Sequence, residues 1–202
     1  MKIALIDVGI SKKAIESNMD VRHFFLDCGE LVEKYKEPEE KHGTYCFQEI
    51  MKSVESIMPQ FLDFNISDNS GELLVSSIII AIEKAIEERV DIINISLGIT
   101  VYSQDLYDAC EKAVQHNILV LSAASHRNTI SFPADFNNVI CVKVEQEQSE
   151  KIRIIGDTTI AVSMNDYIMS EEGAEFDFSS TSLGMSLIHI SEPTRQAEIS
   201  YA

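Results

Sequence analysis

A chain of 202 residues with 45% hydrophobic and 24% charged side chains has the make-up of one globular domain, able to bury a core without disulfides or a structural metal. Thirty-three acids against sixteen bases leave a formal charge of −17. That argues against nucleic acid and anionic lipid as partners, because both demand a concentrated basic surface.

No apolar run approaches the roughly twenty residues that span a bilayer. At the N-terminus Asp7 arrives after the four apolar residues Ile3 to Ile6, too short a run for a signal-peptide core, so the chain is expected to stay in the cytoplasm. The cysteines Cys28, Cys46, Cys110 and Cys141 show neither C-x-x-C nor zinc-type spacing with histidine. In a reducing compartment they read as reduced and mostly buried.

Ile3 to Ile6 has the continuous apolar pattern of a strand buried on both faces, and Gly9 marks a turn after it. Residues 27 to 41 are charge-rich and read as a solvated surface excursion. From Thr44, the positions Phe47, Ile50, Met51, Val54, Ile57 and Met58 repeat at helical spacing until Pro59. Phe61 to Ile66 reads as a strand, and residues 65 to 71 as a loop. Leu73 to Arg89 is the clearest helix, with Leu74, Ile78, Ala81, Ile82 and Ala85 on one face. Asp91 to Leu97 predicts a buried strand ended by Gly98. Ser103 to His116 predicts a second amphipathic helix, with Leu106, Ala109, Cys110 and Ala113 inward. Strands follow at Ile118 to Ala124 and Val139 to Val144, then a hairpin over 151 to 163 around Gly156-Asp157.

Alternating strands and helices predict an α/β fold of three layers: a mainly parallel sheet with helices on both faces. Functional groups in such sheets gather at the carboxyl ends of the strands. Asp7 ends the first strand, and Ser125-His126 ends another. Neither phosphate-cradling glycine motif occurs. A phospho-acceptor receiver domain also opens with a strand ending in Asp, but the acidic pair and late lysine it needs are not in place.

Three polar residues stand at element boundaries in the order Asp7, His42, Ser182. A hydroxyl becomes a nucleophile when an imidazole takes its proton and a carboxylate holds that imidazole in the right tautomer. Singly, each residue is weak evidence: Asp caps strands, His-Gly opens helices, and serine is common. Their surroundings are more specific. Asp7-Val8-Gly9-Ile10, His42-Gly43-Thr44, Asn94-Ile95-Ser96-Leu97-Gly98, Ala123-Ala124-Ser125-His126, Phe132-Pro133-Ala134 and Ser180-Thr181-Ser182 resemble the subtilisin-like serine peptidases, the subtilases. That family carries D-[ST]-G, H-G-T, N-x-S-L-G, A-A-G-N, Y-P-A and G-T-S-x-A in the same order. The order is matched to the family rather than deduced from spacing.

The resemblance, which runs from residue 1 to about 185, implies roles. Ser182 would be the nucleophile at a helix start, His42 the general base and then acid, and Asp7 the residue orienting His42. Ser96, Leu97, Gly98 and Ala123, Ala124, Ser125 resemble the two segments that flank an extended peptide or protein substrate and wall its main specificity pocket. His126 stands where the family has the Asn that donates to the oxyanion, and Asn128 lies two residues on; these two are the candidate oxyanion donors. Val8, Tyr45, Phe47-Gln48-Glu49, Ser180 and Gly184 also depart from the family pattern. No cofactor is expected. Calcium is allowed by the resemblance, with no site readable, and nothing sets the oligomeric state.

Residues 186 to 202 have neither helical nor strand periodicity. SLIHISEPTR and the terminal ISYA resemble the translation of a sequencing-library adapter, with Gln196-Ala197-Glu198 where a sample index would fall. The expectation is therefore an incomplete subtilase-like catalytic domain over 1–185, followed by a non-native tail over 186–202. Glu192, Arg195 and Glu198 in the tail leave −16 for the rest, so the acidic character stands. The function expected is an intracellular serine endopeptidase working through an acyl-enzyme and processing a dedicated peptide, active in full length and inactive in this chain. The alternative is a degraded site that binds peptides without cutting them.

Overall fold

The computed structural model describes residues 1–52, 58–67, 74–125, 129–145 and 152–163. Nine strands lie among them: β1 (Lys2–Asp7), β2 (Asp20–Asp27), β3 (Glu30–Glu33), β4 (Gln60–Asn65), β5 (Ile92–Ile95), β6 (Leu119–Ala123), β7 (Ile140–Glu145), β8 (Ile152–Ile154) and β9 (Thr159–Ser163). The helices are α1 (His42–Lys52), α2 (Val75–Glu87) and α3 (Gln104–Gln115). The strands form one sheet in the order β3-β2-β4-β1-β5-β6-β7-β9-β8. Only the edge pairs β2–β3 and β8–β9 are antiparallel.

The alternation within β1 explains the three layers. Ala4 and Ile6 point to the face covered by α2 and α3, where Ile78, Ala81, Ile82, Leu106, Ala109 and Cys110 pack. Ile3 and Leu5 point to the opposite face, where α1 lays down Cys46, Phe47 and Ile50. A strand apolar at every position is what burial on both faces requires. The bulky Phe47 is accounted for by its ring, which meets Phe61 edge-on at 4.9 Å. Helix α3 starts where the sequence suggests: the Ser103 hydroxyl accepts the Leu106 N–H at 3.3 Å, satisfying one of the free donors of the first turn.

Several expectations need correction. Part of the charge-rich stretch 27–41 is the edge strand β3, paired to β2, a strand for which the sequence reading assigns no element. Charge is compatible with β3 because edge strands face solvent, and Arg22 on β2 bridges Glu33 at 2.8 Å and Glu88 at 2.5 Å. Leu74 lies outside α2: it precedes the helix in extended backbone and is 46% exposed, rather than joining the inward face. Helix α1 begins at His42 and is described to Lys52; Val54 and Ile57 lie outside the described residues, and Met58 is exposed. Cys28 is exposed in the β2–β3 turn, whereas Cys46, Cys110 and Cys141 are buried. Burial pushes the Cys110 thiol up to about 12 and Cys141 to about 11. Among the described residues no helix is long and apolar enough to cross a membrane.

The turn after β1 requires Gly9. Its φ of +99° is costly for any side chain, and a Cβ there would stand 2.7 Å from Asn65 Nδ2. The parallel register brings the ends of the central strands level: Asp7 lies opposite Asn65, and Ser96 donates its N–H to the Ile6 carbonyl at 3.3 Å. Beyond β5, Ile95 pairs with Ser122, which places Ala123 at the same edge.

Candidate active site

Asp7 ends β1 at this carboxyl edge and is 1% exposed. Its carboxylate is not left alone in the low-dielectric interior. Oδ1 accepts the Val8 N–H at 2.7 Å, and His42 Nδ1 sits 2.9 Å from Oδ2 and 3.0 Å from Oδ1. That contact fixes the His42 tautomer with the proton on Nδ1, which leaves Nε2 free to take a proton. Burial works against a charged His42 ring, but the hydrogen bond and charge of Asp7 outweigh it and hold the imidazole above its ordinary value.

Glycine at 43 lets α1 approach this closely. A Cβ on Gly43 would lie 2.6 Å from the Gly9 carbonyl oxygen and 3.2 Å from Asp7 Cβ, so the first turn of the helix rests directly on the turn after β1. One residue on, Thr44 Oγ1 accepts the Ser11 N–H at 2.9 Å. Cys46, one turn along α1, brings Sγ to 3.9 Å from His42 Nδ1. Burial first, and then the Asp7 charge, push its thiol far above the ordinary range, so it stays protonated. Asp7, His42 and Cys46 are also the one group of metal-type donors among the described residues, with ligand atoms within 4.8 Å of one another. An imidazole and a protonated thiol do not suit calcium, which takes oxygen ligands.

Ser96 is buried beside this pair, accepts the Asn94 amide at 3.1 Å and hydrogen-bonds the Cys46 thiol. Leu97 is half-buried and Gly98 is exposed. Ile99 and Phe132 exchange two backbone hydrogen bonds of 2.8 Å, which pins the segment after Gly98. A Cβ on Gly98 would meet Ser131 Oγ at 2.1 Å, so a side chain there requires the Ser131 hydroxyl to turn away. Ala123 is buried, Ala124 and Ser125 are half-buried, and the Ser125 hydroxyl pairs with Thr129 at 2.8 Å. Ser182, His126 and Asn128 lie outside the described residues. The structure thus brings together Asp7, His42 and Ser96 of the residues singled out from the sequence. Sequence reasoning missed Cys46 as a neighbour of His42, though its spacing of four along a helix carried the signal. It also missed the pair of half-buried His23 and buried Asp63, which sits on the same sheet face.

The family profile for the Subtilase family matches residues 1–195, and the chain belongs to that family. It is 28% identical over 155 residues to subtilisin DY of Bacillus licheniformis, covering 70% of this chain and 55% of that protein. It is also 28% identical over 154 residues to an intracellular serine protease of Paenibacillus polymyxa, covering 70% of this chain and 47% of the other. Among solved structures, the S41 psychrophilic protease superposes with a TM-score of 0.62 at 19% identity, over 80% of this chain and 56% of its own. The fold is therefore the subtilisin-like α/β fold, and the chain spans about half the length of these relatives.

Proposed function

We propose that this chain carries the catalytic centre of a cytoplasmic serine endopeptidase. The observation that carries the reading is the His42 ring held through Nδ1 on the buried Asp7 carboxylate, at the strand edge shared with Ser96. Ser182, matched through Ser180-Thr181-Ser182, is the nucleophile in this reading. Its hydroxyl proton passes to His42 Nε2 as oxygen attacks the scissile carbonyl. Asp7 stabilises the imidazolium that forms, and His42 returns the proton to the leaving amine, leaving an acyl-enzyme that water then hydrolyses. His126 and Asn128 are the proposed donors to the oxyanion. Ser96, Leu97, Gly98 and Ala123 to Ser125 are proposed to line an extended peptide, and a dedicated peptide is the proposed substrate. The intracellular relative supports the cytoplasmic address.

His126, in place of the family's Asn, favours one second reading: a peptide-binding protein that no longer cuts. A fluorophosphonate probe applied to the full-length protein separates the two. Labelling that disappears in Ser182→Ala, together with loss of peptide cleavage, supports the peptidase. If wild type and Ser182→Ala bind a peptide equally and neither cuts it or takes the probe, the peptidase reading fails.

A further inference from the structure

A second acid–imidazole pair, a buried acid with a half-buried imidazole, lies on the α1 side of the sheet, away from the proposed chemistry. His23 on β2 and Asp63 on β4 are register partners in the parallel pairing, and His23 Nδ1 stands 2.8 Å from Asp63 Oδ2. Asp63 is 3% exposed, and its Oδ1 is buried with no hydrogen-bond partner among the described residues. A buried carboxylate satisfied on one oxygen only is a poor stabilising device, because desolvation costs more than a single pair returns. Burial raises the Asp63 carboxyl, and the His23 hydrogen bond works to hold it charged. Stability alone therefore does not account for the pair.

What the pair holds is the segment Val8 to Ser11, which follows Asp7. Each residue of this strap is fixed at a different point. The Val8 N–H is on Asp7 Oδ1 at 2.7 Å, and Gly9 lies under Gly43 at the start of α1. The Ile10 N–H is on Asp63 Oδ2 at 3.2 Å, and the Ser11 N–H is on Thr44 Oγ1 at 2.9 Å. Three of these contacts join the strap to Asp7 or to the helix that carries His42. The Asp63 hydrogen bond refers it to a third element, β4, which Gly9 also approaches closely at Asn65. His23 closes the arrangement from β2, covered edge-on by Tyr35 at 4.9 Å, and the Tyr35 hydroxyl accepts the Lys12 N–H at 3.1 Å.

We propose that His23 and Asp63 are positioning residues, which clamp the Val8–Ser11 strap to the sheet and thereby hold the Asp7 carboxylate and the start of α1 in the register that His42 needs. The inference rests on the reading of Asp7 and His42 as a catalytic pair. Without the His23 donor, Asp63 loses its only side-chain partner among the described residues and tends to neutralise, and a neutral carboxyl accepts the Ile10 N–H more weakly. The strap then moves, and the His42–Asp7 hydrogen bond lengthens without either residue being touched.

The test uses the full chain and three variants. His23→Phe fills the ring space without a donor, His23→Gln keeps a donor, and Asp63→Asn keeps the shape without the charge. Two NMR readouts need no catalysis: hydrogen exchange at the Ile10 amide, and the hydrogen-bonded Nδ1 proton of His42. In His23→Phe the Ile10 amide is expected to exchange about tenfold faster or more, the equivalent of one charge-assisted hydrogen bond. The His42 proton signal should broaden or vanish, and His23→Gln should restore both. Asp63→Asn should follow His23→Phe, and it decides the matter if His23→Phe fails to fold. Unchanged Ile10 exchange and an unchanged His42 signal in the folded donorless or chargeless variants overturn the proposal, whatever happens to the melting temperature. In the full-length protein, kcat should fall about tenfold at constant KM, again with rescue by Gln. A peptidase whose Ser182→Ala variant loses no activity overturns the function proposed above, while the two NMR readouts still decide the clamp.

Discussion

Gly43→Ala puts the packing between α1 and the strap to a direct test. On helix propensity alone alanine should gain about 1 kcal/mol over glycine. The structure gives the opposite sign. The added Cβ would stand 2.6 Å from the Gly9 carbonyl oxygen, where carbon and oxygen ordinarily approach no closer than about 3.3 Å, so about 0.7 Å must be found. Gly9 cannot give way cheaply. It is fixed at φ +99°, has no room for a side chain beside Asn65, and lies between the Val8 and Ile10 hydrogen bonds. The start of α1 must therefore move, and His42 moves with it.

Overpacking of this kind costs about 1–3 kcal/mol, enough to cancel or exceed the propensity gain. The geometric effect is sharper. His42 Nδ1 now sits 2.9 Å from Asp7 Oδ2, and a displacement of about 0.7 Å along that line breaks the hydrogen bond by distance. Urea unfolding of wild type and variant gives the stability change, and the pKa of His42 followed by NMR gives the geometric one. We expect a variant no more stable than wild type, with His42 shifted down toward its ordinary value as the Asp7 contribution is lost. A Gly43→Ala protein that is more stable by the full propensity gain and keeps the raised His42 would show that α1 does not rest on the strap as described.

The raised His42 also sets a pH dependence. A general base must be neutral, so the acid limb of kcat/KM should lie above the ordinary histidine value of about 6.5 and fall back in Asp7→Asn; a limb at or below that value in wild type would refute it. For folding the sign is reversed: a group raised in the folded state contributes stability fully below its unfolded value and loses it as pH rises through the folded one. The proposed boundary near Met185 is checked by sequencing the locus from intact DNA. Coding that departs from this chain after about residue 185 is expected, and a natural gene encoding SLIHISEPTR would refute it.

Residues that act at the end of an element were the legible ones. Asp7 stands out because it closes an uninterrupted apolar run, and His42-Gly43 because it opens a helical repeat. Face assignment was legible too: Leu106, Ala109, Cys110 and Ala113 are all buried on α3, as their spacing requires. Leu74 failed because spacing alone does not say where a helix begins, and the backbone of Leu74 itself is still extended. β2 failed for a different reason. Arg22 and His23 interrupt its pattern, and each is accommodated by a partner far off in sequence: Glu88 for Arg22, Asp63 for His23.

That second failure bears on function. A periodicity reports which face a residue occupies, but strand order decides which residues become neighbours, and this sheet places β4 between β1 and β2. His23 and Asp63 are therefore 40 positions apart in the chain and hydrogen-bonded in the fold. The same topology places β1 between β4 and β5, so Asp7 has Asn65 on one side and Ser96 on the other. The carboxylate is thus held in a row of short polar groups at the strand ends, with the strap and α1 closing above it. A polar residue inside an otherwise apolar strand is costly to bury, and Asp63 faces in His23 a partner that only the parallel register supplies. In this fold such interruptions mark where the sheet supports the candidate site. The ends of the apolar runs mark the site itself.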